Sequence, residues 1–508
     1  MFQLQPLYLE SMRVADTPGA VRANNEYYWV WGWDMMRPTF GTLAANRAEA
    51  VRETVDFHVR TRFITQHDNS LTRDLRPSDR EPMPVEYLLV HDYLAWTGDV
   101  ESTRRWSGSL TAAFKKLLAN PDPTGMRVET AISTDFPEEF GRTFAGWLCY
   151  PTAWDFAAYL SMEKLFYAWG NPELAVQARE LALRIRRNFV RVFWNERTGF
   201  WNEGVHPTDP DLVCDVPLST ALAGMDSPYG EDLYATRLAS SVEYAAHHFL
   251  RDDGVHIIAR GEVRGFKEWT RQPNNWFAAN DTMLARAFRA VGNAEALEKL
   301  FYLYELNFGY QPNVFEGKPF RRPLLTAGGW QAFGASAWYR NLIEAAAGLW
   351  TDLGGLTLVP CGLGEPVRLT GLHYRGATLD FEAHGQGVWP RKLLLDGQPL
   401  VGTTKLPPLA PGQHTLQVEY GPSVPVAPLL TLAADAEVVT SQVAAAKTTV
   451  RLRGHGYTPV SFFSPSQPAL SLNGAPLACE WDEPTGRGRT RFVLDGEAEF
   501  IITTTHAN

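Results

Sequence analysis

Three separate stretches set carboxylates among aromatic side chains. They are "EYYWVWGWDMMRP" (26–38) with Asp34, "AISTDFPEEFGRTFAGWLCYPTAWD" (131–155) with Asp135, Glu138 and Glu139, and "YQPNVFEGKPFRRPLLTAGGWQAF" (310–333) with Glu316 and Trp330. A fourth, "EWTRQPNNWFAAND" (268–281), adds Trp269, Arg271, Asn274, Asn275 and Trp276 and leads into a helix. Carboxyls on distant loops suit a reaction with one protonated acid and one ionised base. Hydrolysis of a glycosidic bond is such a reaction: one carboxyl protonates the leaving oxygen, and in an inverting enzyme a second activates water from about 6.5–9.5 Å away. Asp135 and Glu316 meet the loop requirement. Trp rings offer flat apolar surfaces to the C–H faces of a sugar, and an ionised Asp34 accepts hydroxyl hydrogen bonds of the strong, charge-assisted kind.

Each residue also has a plainer reading. "STDFPEEF" resembles a helix-capping sequence, which would make Asp135 an N-cap and leave Glu138 or Glu139 as the acid. Glu316 could be a solvated loop carboxylate, and Asp34 a cap or a partner for Arg37. Trp338 and Trp330, both read as part of a "GGWQAFGASAW" helix, suit a core better than a sugar subsite, although Trp330 near the helix start could reach a cavity. His67, His91 and His206 lack ligand spacing and are expected in the core or on the surface.

The elements that must hold these loops read as helices up to about Trp350. Apolar residues recur at three-to-four spacing in 42–63, 84–99, 154–171, 172–194, 231–250, 274–293, 294–308 and 329–350. Several stop at Gly-Asn or Gly-Asp. The segments pair as helix, turn, helix, with longer loops between pairs. A solenoid would repeat one motif at a fixed period, and none is present. A closed double ring of helices, the (α/α)6 barrel, is therefore expected over 1–352, with its site at one mouth. Beyond a linker near 350–355 the pattern alternates with period two and turns at Asp-Gly or Asn-Gly (396–397, 473–474, 495–496), which predicts an all-β sandwich over 353–508. "LLDGQPL" (394–400) and "SLNGAPL" (471–477) look alike and hint at two similar halves.

Composition narrows the function. A net charge of −10 argues against nucleic acid and anionic membranes, which need a basic patch. Four scattered cysteines (Cys149, Cys214, Cys361, Cys479) argue against structural zinc and a disulfide framework. No P-loop or dinucleotide fingerprint is present. No run of about 18 apolar residues would span a membrane, and the start shows neither a basic n-region nor an apolar h-region, so a cytoplasmic enzyme is expected.

The order of these stretches resembles the (α/α)6-barrel inverting α-glycosidases: the trehalases, the processing α-glucosidases and the amylo-α-1,6-glucosidase-like proteins. "YYWVWGWD" is similar to their early "YYWDS"-type signature. "STDF" followed by "WDFAAYLSMEKLFYAWGN" resembles their general-acid loop and next helix. "KEWTRQPNNWFAAN" is similar to "WRGPxWxxxNY", and "QPNVFEGKPFRRPLLTAGGWQAFGASAW" to their base-bearing loop. The chain departs from the pattern at Thr134, where a small residue usually stands, and in lacking "RGP". The resemblance implies Asp135 as general acid, Glu316 as general base, Asp34 on sugar hydroxyls, Trp31, Trp33, Trp269 and Trp276 as walls, and Arg271 and Asn275 on hydroxyls or water. It implies a small carbohydrate substrate, a short α-glucoside such as a disaccharide, cleaved by an exo-acting hydrolase without cofactor or metal. Two rivals remain: a glycoside phosphorylase, whose phosphate the cations of "RRP" (321–323) would attract and Glu316 would repel, and a non-catalytic carbohydrate-binding protein.

Overall fold

The computed structural model describes residues 12–13, 18–21, 39–61, 82–119, 123–126, 128–129, 146–209, 211, 213–215, 217–252, 254–256, 275–276, 281–308, 315–319, 327–330 and 332–504. Its helices are α1 (Ala48–Thr61), α2 (Pro82–Thr97), α3 (Val100–Leu118), α4 (Cys149–Ala168), α5 (Pro172–Phe193), α6 (Gly230–Tyr234), α7 (Leu238–His248), α8 (Asp281–Val291), α9 (Ala294–Phe308) and α10 (Ala332–Asn341). A 3₁₀ segment, Ser219–Asp226, precedes α6, and a π-turn, Leu342–Ala347, follows α10.

Two kinds of helix alternate along the chain. α5 buries Ala175, Ala178, Leu181, Ala182, Ile185, Phe189 and Phe193, one stripe at three-to-four spacing, and leaves its charged face in water. Pro172 starts it, where a missing N–H costs nothing. α4 instead buries residues on every side, from Cys149 to Phe166, and α8 does the same from Asp281 to Ala290. A helix apolar all round must be enclosed by others. The enclosed elements touch in chain order: α2 on α4, α4 on the 3₁₀ segment, that segment on α8, and α8 on α10. The helical residues 39–44 meet α10, where the Gly41 N–H donates to Ser336 Oγ at 2.7 Å and the Arg340 guanidinium lies 4.8 Å from the Phe40 ring.

Short strands cross the connections. β1 (Val128–Glu129), β2 (Gly146–Leu148), β3 (Gly204–Val205) and β4 (Val213–Cys214) form one sheet in that order. β5 (Asn275–Trp276), β6 (Phe315–Pro319) and β7 (Ala327–Trp330) form another, with β6 in the middle. Some expected helices are altered by these elements. The segment at 42–63 breaks at Asn46 (φ 62°), and that at 231–250 breaks at Ala235 (φ 40°). Trp276 belongs to a strand rather than to the start of α8. Trp330 ends β7 rather than opening α10, because the chain is still paired with β6 there. Trp338 is a core residue stacked on Tyr304 at 4.3 Å.

From Leu349 onward the chain is strands: β8 (Leu349–Asp352), β9 (Gly355–Leu358), then β10 (Gly362–Tyr374), β11 (Ala377–Gly387), β12 (Trp389–Leu395), β13 (Gln398–Pro399) and β14 (Gly412–Gly421), ordered β10-β11-β14-β12-β13. A second sheet holds β15 (Leu429–Ala433), β16 (Glu437–Ala444), β17 (Lys447–Phe463), β18 (Pro468–Leu472), β19 (Ala475–Leu477), β20 (Glu480–Asp482) and β21 (Arg487–Thr504) along the path β15-β17-β21-β18-β19, with β16 on β17 and β20 on β21. Asp396-Gly397 and Asn473-Gly474 turn the edge hairpins β12–β13 and β18–β19, all four residues at positive φ, so the two look-alike heptapeptides occupy matching sheet edges. Asp495-Gly496 is not a turn: it lies inside β21, opposite His455 and Gly454 of β17. Leu379, Phe381, Leu416 and Val418 of the first sheet share one core with the helices, whereas the second sheet packs its own core around Val450, Leu452, Phe462 and Phe500.

Candidate active site

The β5-β6-β7 sheet brings four expected site residues, distant in sequence, onto adjacent strands. Asn275 pairs with Pro319 and Trp276 with Lys318, so β5 runs beside the end of the strand that carries Glu316. On the other side Phe315 pairs with Trp330 and Gly317 with Ala327. Two steps along β6 thus match three along β7, a bulge that sets Gly328 and Gly329 opposite Glu316. Bulges re-aim the chain locally, and across from Glu316 the partner strand carries two glycines.

The segment with Asp135, Glu138 and Glu139 starts and ends on a strand pair. Val128 pairs with Trp147 and Glu129 with Gly146, so β1 and β2 close the base of the 130–145 connection. β2 also pairs with β3, Trp147 to Val205 and Leu148 to Gly204, and then continues into α4, a helix enclosed by its neighbours. Asp135, Glu138, Glu139, Trp31, Trp33, Asp34, Trp269 and Arg271 lie outside the described residues, and His67 does too.

No family model matches this chain, and no curated protein matches it in sequence. Solved structures do. A GH78 family rhamnosidase of Bacillus sp. GL1 superposes with a TM-score of 0.50 at 13% identity, over 82% of this chain and 43% of its own. The two share a fold over that length. This chain therefore spans less than half of the rhamnosidase. The GH63 mannosylglycerate hydrolase from Thermus thermophilus matches with a TM-score of 0.49 in two complexes. The complex with Tris and D-glycerate is 13% identical and matches over 66% of this chain and 98% of that one; the complex with glucose is 14% identical, over 66% and 97%.

The structure adds acids that the sequence does not single out. Glu203 is 2% exposed, and among the described residues neither carboxyl oxygen has a hydrogen-bond partner. Burial pushes it up to about 8, so it is a neutral acid at pH 7. Its backbone is held on both sides: its N–H donates to Cys214 O at 2.9 Å, and its carbonyl accepts the Cys149 N–H at 2.8 Å. Nothing in "WNEGV" marks a buried acid, because the elements packed on β3, namely β2, β4 and α5, come from elsewhere in the chain. Glu86 on α2 lies 3.7 Å from His58 on α1. Burial raises Glu86 and lowers His58 to about 3, so it disfavours the charged form of each.

Among the described residues no group of His, Cys, Asp and Glu could hold a metal ion. No described helix is long and apolar enough to cross a membrane.

Proposed function

We propose that this chain is an inverting, exo-acting glycoside hydrolase that cleaves a short α-glycoside by general acid and general base catalysis. In this reading the enclosed helices and their outer partners form an (α/α)6 barrel over 1–352, and a β sandwich over 353–508 completes the chain. The contacts of the enclosed helices in chain order, and of residues 39–44 with α10, support the ring. The fold shared with the rhamnosidase supports it too.

One observation carries the reading: β5, β6 and β7 gather Asn275, Trp276, Glu316 and Trp330, residues whose types suit a sugar site, around a bulge faced by two glycines. Glu316 would take the proton of the attacking water. Asp135 would donate to the leaving oxygen from the connection that β1 and β2 close. An acid in that role must stay protonated near neutrality, which a desolvated site or a nearby like charge such as Glu138 or Glu139 provides. Asp34 would anchor sugar hydroxyls between Trp31 and Trp33, with Trp269, Arg271 and Trp330 completing the pocket.

The test is a panel of α-linked glucose disaccharides and an aryl α-rhamnoside, with and without phosphate, given to wild type, Asp135→Asn and Glu316→Gln. Hydrolysis by wild type alone, with the β-anomer first in NMR, is expected. Cleavage that requires phosphate would make the protein a phosphorylase. A first-formed α-anomer overturns inversion, and equal rates in all three proteins overturn both residue assignments.

A further inference from the structure

The strands β5, β6 and β7 carry charge at two positions only. Their sequences are NW, FEGKP and AGGW, so Glu316 and Lys318 of β6 are the charged residues of that sheet. The extra residue of the bulge belongs to β7, where three steps match two of β6, and β6 keeps its alternation through Gly317. Positions two apart on a strand share a face and stand about 6.6 Å apart. Glu316 and Lys318 therefore lie on one face of β6, and Trp276, the register partner of Lys318, lies on it too. Phe315 with its partner Trp330, and Pro319 with its partner Asn275, take the other face.

Lys318 has no part in the chemistry above, yet a base at Glu316 needs a cation. A carboxylate that takes a proton from water works only while it is ionised, and a site that excludes water favours the neutral acid. An ammonium two positions along the same face favours the charged form instead. Among the described elements that pack on β6, no other charge is open to Glu316. β5 and β7 are uncharged, and α10 has a single charged residue, Arg340. That guanidinium is engaged elsewhere: Nε donates to Glu344 Oε2 at 2.7 Å and Nη2 to Asp226 O at 2.8 Å.

We propose that Lys318 is the positioning residue for Glu316, its charge on the shared face of β6 keeping the carboxylate ionised as the base of the site. The catalytic meaning rests on reading Glu316 as the base. The pairing of the two charges does not, so the two can fail separately.

The experiment is a pH titration by NMR of protein carrying ¹³C at the glutamate Cδ, in wild type, Lys318→Met and Lys318→Arg, with Glu316→Gln identifying the Glu316 signal. In wild type Glu316 titrates below the ordinary glutamate value of about 4.3. Lys318→Met raises that midpoint by about one pH unit, and Lys318→Arg, which keeps the charge, leaves it near wild type. Equal midpoints in wild type and Lys318→Met overturn the proposal. If Lys318→Met does not fold, wild type decides: a midpoint at or above about 4.3 overturns it. With any α-glycoside that the panel shows to be cleaved, the acid limb of kcat/KM moves up with the midpoint in Lys318→Met and returns in Lys318→Arg. A rise of KM confined to anionic glycosides, with the midpoint unmoved, would give Lys318 to the substrate and overturn its role at Glu316. If nothing is cleaved, the hydrolase reading fails and the titration still decides whether Lys318 holds Glu316 ionised.

Discussion

Asp435 accepts a hydrogen bond from His91 at 2.9 Å, although the two are 344 positions apart and both side chains are fully buried. The Tyr229 hydroxyl donates to the other carboxylate oxygen, and the Leu353 N–H adds a bond of 2.8 Å. Lacking ligand spacing, His91 is expected to be structural, and this pair shows how: it ties α2 to the turn after β15. Burial opposes the charge on His91, but Asp435 and Asp92 outweigh it and lift the imidazole to about 10. Burial also opposes the charge on Asp435, and His91, Lys164 and Tyr229 outweigh it and hold the carboxyl far below its usual range. The raised His91 contributes fully below about pH 6.5 and loses that contribution as pH climbs towards 10. The lowered Asp435 contributes above about pH 3.9 and loses it on acidification. Stability from the pair is therefore greatest between about pH 4 and 6.5. Asp435→Asn should cost about 3–5 kcal/mol there and flatten both limbs. Urea unfolding across pH checks this, and an unchanged pH profile in the variant refutes it.

Lys405 and Asp352 form a second buried pair. The ammonium lies 2.7 and 2.6 Å from the two carboxylate oxygens and 2.8 Å from Ala433 O, so all three of its donors are used. Removing one partner leaves the other charge buried and uncompensated. Lys405→Met should therefore cost about 3–5 kcal/mol, while Lys405→Met with Asp352→Leu should cost less than the sum of the singles by about 2 kcal/mol. Denaturant unfolding of the four proteins gives the coupling directly, and strict additivity would show that the pair does not act as one.

The periodic parts of the fold are legible in the sequence because they depend on local spacing: the pattern at 172–194 predicts a helix, and α5 runs Pro172–Phe193. α3 carries the same spacing at Trp106, Leu110 and Phe114, but polar residues between them dilute it. Its sequence, VESTRRWSGSLTAAFKKLL, is rich in Ser and Thr, and its start depends on Asp99, whose carboxylate accepts the Ser102 N–H at 3.0 Å. The break at Ala235 and the strand around Asp495-Gly496 are hidden for another reason. Backbone at φ 40° is set by packing, and Asp-Gly has the same turn propensity whether or not a partner strand such as β17 pairs with it. The candidate site divides the same way. Residue types point to Asn275, Trp276, Glu316 and Trp330, but their meeting on one sheet is long-range pairing, and Glu203 becomes notable only through burial by elements far along the chain.

Gly348 and Arg289 make a third test. Gly348 ends the π-turn at φ 78°, the left-handed region, and a Cβ there would meet the Arg289 guanidinium. That guanidinium is buried and donates to Ala345 O at 2.7 Å, Ala346 O at 3.1 Å and Val359 O at 2.7 Å, so it closes the carbonyl end of the turn and ties it to the chain after β9. Gly348→Ala should cost about 2–3 kcal/mol, from backbone strain plus displaced hydrogen bonds. Arg289→Lys should cost a similar amount, because an ammonium cannot span carbonyls arranged for a planar fork. Thermal melts of both variants measure this; a Gly348→Ala protein as stable as wild type would mean that the cap gives way freely.

The last prediction separates bond breaking from sugar holding. Glu316 sits on the middle strand of its sheet, with a bulge and two glycines opposite, whereas Trp330 pairs with Phe315 at the strand's start. If Glu316 takes a proton from water, Glu316→Gln keeps the shape and most hydrogen bonds but loses the base. It should lower kcat by about 10³-fold with KM little changed. Trp330→Ala removes a stacking surface and should act mainly on KM, by about tenfold, the equivalent of about 1.4 kcal/mol. Asp34→Ala should abolish activity through lost substrate positioning. None of the three should move the thermal midpoint by more than a few degrees. Kinetics with melting curves on the same samples decide: a kcat loss only in Trp330→Ala would exchange the two roles, and an unfolded Asp34→Ala would return that residue to a structural one.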